Sequence, residues 1–117
     1  MVAEPERLSQ SSRALLRAPA NELLLSAASA WEIAIKFGLG KVEFPDGPEA
    51  FVPGLMARTA VTPLPVHHRH ALRVAALPLH HRDPFDRLLI AQAQVEEVPI
   101  MTADPAFRRY KVAVVPA

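Results

Sequence analysis

The feature that most constrains the fold is a set of short apolar runs separated by helical stretches. LLLSA (23–27), VPIMTA (98–103) and VAVV (112–115) are too short for stable helices and lack the polar alternation of half-exposed strands. Such runs suit strands covered on both faces, as in a parallel sheet between helices. The segments between them carry helix punctuation. SAWEIAIKFGLG predicts a helix from Ser29 to about Leu39, with Ser29 and Glu32 spaced as a capping box and Gly38 and Gly40 as its stop. HHRHALRVAAL (67–77) predicts a second helix, and DPFDRLLIAQAQ a third, capped by Asp83 with Pro84 at its first position. TADPAFRRY predicts a short helix capped by Asp104, and SSRALLRA (11–18) one that ends at Pro19. In EAFVPGLMART, Pro53 and Gly54 are expected to interrupt the helix. VTPLPV reads as an edge strand because of its prolines. The class expected is α/β, with residues 1–117 forming a single domain.

Bulk composition narrows the chemistry. Nothing approaches the ~18–20 apolar residues of a membrane span, and MVAEPERLSQ lacks the apolar centre of a signal peptide. A cytoplasmic protein is therefore expected. Without cysteine, disulfides and thiolate metal sites are excluded, so any metal must be held by oxygen or imidazole, which favours magnesium or manganese. Thirteen Lys and Arg against twelve Asp and Glu leave a net charge of +1, so no global field draws the chain to nucleic acid. Local placement has to carry that part of the argument.

Three acids stand out. Asp86, Leu89, Ile90 and Ala93 follow the spacing of one helix face, so Asp86 heads an otherwise apolar stripe, where an ionised carboxylate needs a partner or a metal. Glu32 follows the strand LLLSA and Asp104 follows VPIMT directly. Taken singly, each acid is accounted for by capping or by the helix dipole. In a parallel sheet, however, strand ends and the following helix starts share one edge, and the three acids converge there. Gathered carboxylates repel unless a divalent cation holds them, and the chemistry of such a site is phosphoryl transfer or phosphodiester hydrolysis. Lys36, Arg82, Arg87, Arg108 and Arg109 lie near the acids in sequence and are candidate phosphate contacts, with solvated surface charge as the alternative. The histidine pairs 67/70 and 80/81 form no HExxH pattern and read as caps or loop hydrogen bonds rather than a zinc site. Trp31 is expected in the core.

SAASAWEIAIKFGLGKV, LPLHHRDPFDRLLIAQA and MTADPAFRRY, in that order, closely resemble the downstream motifs of PIN-domain proteins of the VapC toxin type. The resemblance implies an α/β/α sandwich with a short, mostly parallel sheet. It further implies a magnesium- or manganese-dependent endoribonuclease acting on RNA, a cognate antitoxin, and homodimerisation. Carried over by motif, the catalytic and metal-binding acids are Glu32, Asp86 and Asp104. Asp83 remains a cap that supports the site, and Thr102 orients Asp104 or a water.

One departure shapes the expectation. Family members begin with a hydrophobic strand ending in aspartate, whereas EPERLSQSSRALL, from Glu4 onward, resembles a segment that normally follows the first helix. Residues 1–8 hold neither a strand-like run nor an Asp. The first, central strand is thus expected to be absent, leaving a gap for repacked helices or a partner chain to cover. A catalytically impaired module that still binds antitoxin is the alternative function.

Overall fold

Strand β2 (Leu24–Ser26) shows how the layers arise. Successive strand residues point to opposite faces. Leu25 packs with Ile33 and Val52, whereas Leu24 packs with Leu64 and Leu89. Ile33 lies on helix α1 (Ala27–Gly38) and Val52 on α2 (Pro48–Thr59), while Leu89 lies on α4 (Pro84–Glu96). Helices therefore cover both sides of the sheet, in three layers. The structure is a computed structural model that describes residues 2–3 and 23–116.

The sheet has five strands, all parallel, in the order β3-β2-β1-β4-β5. The remaining strands are β1 (Val2–Ala3), β3 (Thr62–Leu64), β4 (Ile100–Thr102) and β5 (Val114–Pro116). Leu24, Val2, Ile100 and Val114 stand in one register row across the four inner and distal strands. Helix α3 (His68–Arg73), continued by a 3₁₀ turn at Val74–Ala76, packs against α4. The largest apolar cluster joins Leu77, Ile90, Ala91, Ala93, Ile100, Phe107 and Tyr110, so α4 and β4 share its centre. No helix among the described residues is long and apolar enough to cross a membrane.

The α/β class is as expected, and one feature of it is corrected. The central strand is present. Val2–Ala3 occupies the middle of the sheet, paired on both sides with β2 and β4. Two residues carry no periodicity of their own, so nothing in their local pattern could announce a strand. Its identity comes from the neighbouring strands that flank it. The expected helix at 11–18 and the acids Glu4 and Glu6 lie outside the described residues.

Three local expectations also change. Ser26, not Ser29, caps α1: its Oγ accepts the Ala28 N–H at 3.1 Å and donates to Gln92 Oε1 across the sheet. Ser29 and Glu32 are instead buried on the inner side of α1 and form no capping box. Helix α2 runs unbroken through Pro53, which forgoes one backbone donor in a helix already started by Pro48. Trp31 is 62% exposed rather than in the core.

Candidate functional site

The site is assembled at the start of α4. Asp83 caps this helix, its Oδ1 accepting the N–H groups of Phe85 at 2.8 Å and Asp86 at 3.4 Å. Asp86 thus falls in the first turn, where the helix dipole favours an acid. Its side chain heads the face that carries Leu89, Ile90 and Ala93, and only 3% of the residue is exposed. The cap reading of Asp83 and the inward orientation of Asp86 are both found.

Asp104 arrives from the carboxyl end of β4. The Thr102 hydroxyl accepts the Asp104 N–H at 3.0 Å, fixing the turn out of the strand. Asp104 Oδ1 then caps the 3₁₀ helix Pro105–Arg109 by accepting the Ala106 N–H at 2.9 Å. The other carboxyl oxygen, Oδ2, is turned toward the loop that precedes α4. Capping and site formation thus use different atoms of one side chain.

Between the two acids stands His81, which the sequence had not singled out as a site residue. Its Nε2 lies 2.9 Å from Asp86 Oδ2 and 3.3 Å from Asp104 Oδ2, and its Nδ1 accepts the Asp83 N–H at 3.2 Å. One atom from each of His81, Asp86 and Asp104 lies within 4.8 Å of the other two. The only sequence signal for this was position, two residues before the Asp83 cap and inside a motif that also holds Asp86.

The loop carrying His81 is clamped from two sides. The Tyr110 hydroxyl accepts the N–H groups of His80 at 3.0 Å and His81 at 2.7 Å. Arg87, one residue after Asp86, donates to the carbonyls of Pro78 at 2.9 Å and Val74 at 3.2 Å, and at longer range to those of Leu77 and His81. Its guanidinium is therefore engaged with the loop backbone rather than presented to solvent for phosphate contact. A planar fork of five donors suits such a cluster of carbonyls in a way that lysine does not.

Glu32 does not join the three-residue cluster. It is buried on α1, where Lys36 Nζ lies 3.3 Å from its Oε1, an i,i+4 pair. Helix α1 does pack against α4, and Trp31 and Phe85, the residues before Glu32 and Asp86, meet with ring centroids 5.0 Å apart. Glu32 is thus buried on a helix that packs against α4. Arg82 and Arg108 are exposed beside Asp83 and Phe107, and Lys36 is half-buried.

The donor set suits a hard divalent cation. Oxygens sharing one such ion lie no farther apart than about twice the metal–oxygen distance of roughly 2.0–2.6 Å. One oxygen each of Asp86 and Asp104 lies within 4.8 Å of the other, inside the upper end of that limit. Burying a carboxylate as deeply as Asp86 is costly without a compensating positive charge or donor.

Comparison with known proteins bears on the family and the fold. Residues 1–113 match the PIN domain family model. Over 59 residues the chain is 48% identical to Ribonuclease VapC16 of Mycobacterium tuberculosis, a match that covers 50% of this chain and 42% of that protein. The fold superposes on DNA-bound VapBC from Salmonella typhimurium with a TM-score of 0.76 at 15% identity, covering 98% of this chain and 96% of that one. FitAcB from Neisseria gonorrhoeae gives 0.68 at 16% identity, covering 97% and 94% of the two chains. VapBC2 from Rickettsia felis, bound to a promoter DNA fragment, gives 0.69 at 13%, covering 99% and 98%. At these identities the structural likenesses establish the fold.

Proposed function

The chain belongs to the PIN-domain family, and from that premise we propose that it is a magnesium- or manganese-dependent endoribonuclease of the toxin type, hydrolysing RNA phosphodiesters and restrained by a cognate antitoxin. The observation that carries this reading is the approach of the Asp86 and Asp104 carboxylates at the carboxyl edge of a parallel sheet. The stretch shared with Ribonuclease VapC16 supports the substrate class. VapBC and FitAcB among the solved relatives support an antitoxin partner.

In this reading Asp86 and Asp104 hold the ion, with Glu32 contributing from α1. A divalent ion bound there lowers the pKa of a coordinated water and offsets charge on the phosphodiester in the transition state. Thr102 keeps Asp104 oriented through its backbone N–H, and Asp83 sets the direction of α4. Lys36, Arg82 and Arg108 supply positive charge for the RNA backbone. Arg87 is assigned to the loop instead. Homodimerisation and a cytoplasmic location complete the proposal.

The alternative of an impaired binding module rested on an absent central strand and its acid. The strand exists as β1. The test is cleavage of a mixed RNA pool by the chain in magnesium, in manganese and in excess chelator. Cleavage that depends on the ion supports the nuclease; antitoxin capture without cleavage under any ion supports the binding module.

A further inference from the structure

His81 presents a choice of roles, because a histidine beside two carboxylates is either a third metal ligand or a hydrogen-bond donor. The two roles need opposite tautomers. A neutral imidazole carries one N–H, and a ring nitrogen binds metal only through its lone pair. Metal-bound histidines accordingly turn their other nitrogen, as N–H, toward an acceptor. Here the other nitrogen, Nδ1, faces a donor, the Asp83 backbone N–H at 3.2 Å. The proton therefore sits on Nε2, which donates to Asp104 Oδ2 at 3.3 Å and stands 2.9 Å from Asp86 Oδ2. Ring placement is not slack, since Tyr110 and Arg87 hold the loop backbone on either side of it. The ring also meets the edge of buried Phe107 with centroids 5.7 Å apart.

Resting on the metal-site reading above, we propose that His81 is not a metal ligand but an internal competitor for the ion, a latch whose Nε2 stands between the two carboxylates that would hold it and donates to Asp104. Placed there, the ring N–H offsets the repulsion between Asp86 and Asp104, so the two acids stay close. Asp104 Oδ1 accepts the Ala106 N–H, which leaves Oδ2 as the oxygen turned toward His81. To hold a divalent ion, Asp86 and Asp104 would have to release the imidazole from between them. His81 is thus a positioning residue that sets the metal affinity of the site, and the loop clamped by Tyr110 and Arg87 is what keeps it aimed.

Two substitutions separate latch from ligand. In His81→Asn the side-chain oxygen can still accept the Asp83 N–H, so the loop is retained, but the Nε2 donor is gone. In His81→Gln the amide nitrogen reaches the position of Nε2 and still donates, yet it offers no imidazole lone pair. Manganese binding measured by titration calorimetry at fixed pH is expected to tighten roughly tenfold in His81→Asn, the scale of one lost hydrogen bond to a charged group. His81→Gln is expected to bind within about twofold of wild type, a fraction of that scale. Weaker binding in both variants would make His81 a ligand and overturn the latch. Equal binding in all three would overturn it too, while loss of binding in Asp86→Asn alongside would show that the metal site itself stands. If Asp86→Asn binds like wild type, or no variant binds, the metal reading fails and the latch with it. A second readout needs no ion. The ring-nitrogen chemical shifts of His81 in the metal-free protein are expected to report the Nε2–H tautomer, and the Nδ1–H tautomer would contradict the latch.

Discussion

The rings of Trp31 and Phe85 meet edge to face, with centroids 5.0 Å apart and planes at 65°. Each belongs to the residue immediately before a buried acid, Glu32 on α1 and Asp86 on α4. This pair couples the two helices at the level of the site, although Trp31 itself is largely exposed. Edge-to-face aromatic pairs contribute about 0.5–1.5 kcal/mol beyond their buried area. Trp31→Ala is therefore expected to cost about 1 kcal/mol in urea denaturation. Manganese affinity should fall as Glu32 loses its alignment with Asp86. A variant with normal metal affinity would show that the two helices are set by the rest of the core.

Arg87 invites assignment to RNA from its place in the motif, but its bonds tie down the 74–81 loop. Arg87→Lys should lose about 2–3 kcal/mol of stability, since a point charge cannot serve several carbonyls at once. Chemical denaturation of the variant checks this. A near-neutral effect on stability combined with weakened RNA binding would return Arg87 to the list of phosphate contacts.

Glu96 closes a polar chain on the far side of α4. Its Oε1 accepts from Arg69 at 2.9 Å and lies 3.0 Å from Nε2 of the fully buried His70, whose Nδ1 accepts the His67 N–H. The hydrogen bond from Arg69, then that from His70, hold the Glu96 carboxyl below the usual glutamate range. A carboxyl depressed on folding stabilises the native state above its unfolded pKa, and that contribution fades as pH falls through the folded value. The wild-type melting temperature should therefore drop more steeply than that of Glu96→Gln on moving down from the ordinary glutamate range. Parallel acid limbs for the two proteins would contradict this role.

How far the sequence reaches differs from residue to residue. Asp83, Asp86 and Asp104 were legible because capping and helix spacing act over three or four residues, and α4, β4 and the turn after it follow those local rules. Strand β1 was not legible, because a two-residue strand exists only through the partners on either side of it. His81 and Gln92 were missed for a related reason. Their roles are set by contacts across the fold, from His81 to Asp104 and from Gln92 to Ser26, that no local pattern announces. Trp31 misled because its neighbour Phe85 lies on another helix, so the ring is satisfied at the surface.

The most direct test of the central proposal is RNA cleavage by the wild-type chain and by Asp86→Asn, side by side in magnesium, with the melting temperatures of both proteins measured in the same buffer. Loss of cleavage in the variant with an equal or higher melting temperature is expected, because removing one of two facing carboxylates relieves their repulsion while disabling the metal site. Cleavage that survives in Asp86→Asn, or a variant that loses activity only because it has unfolded, would contradict a catalytic site built on Asp86.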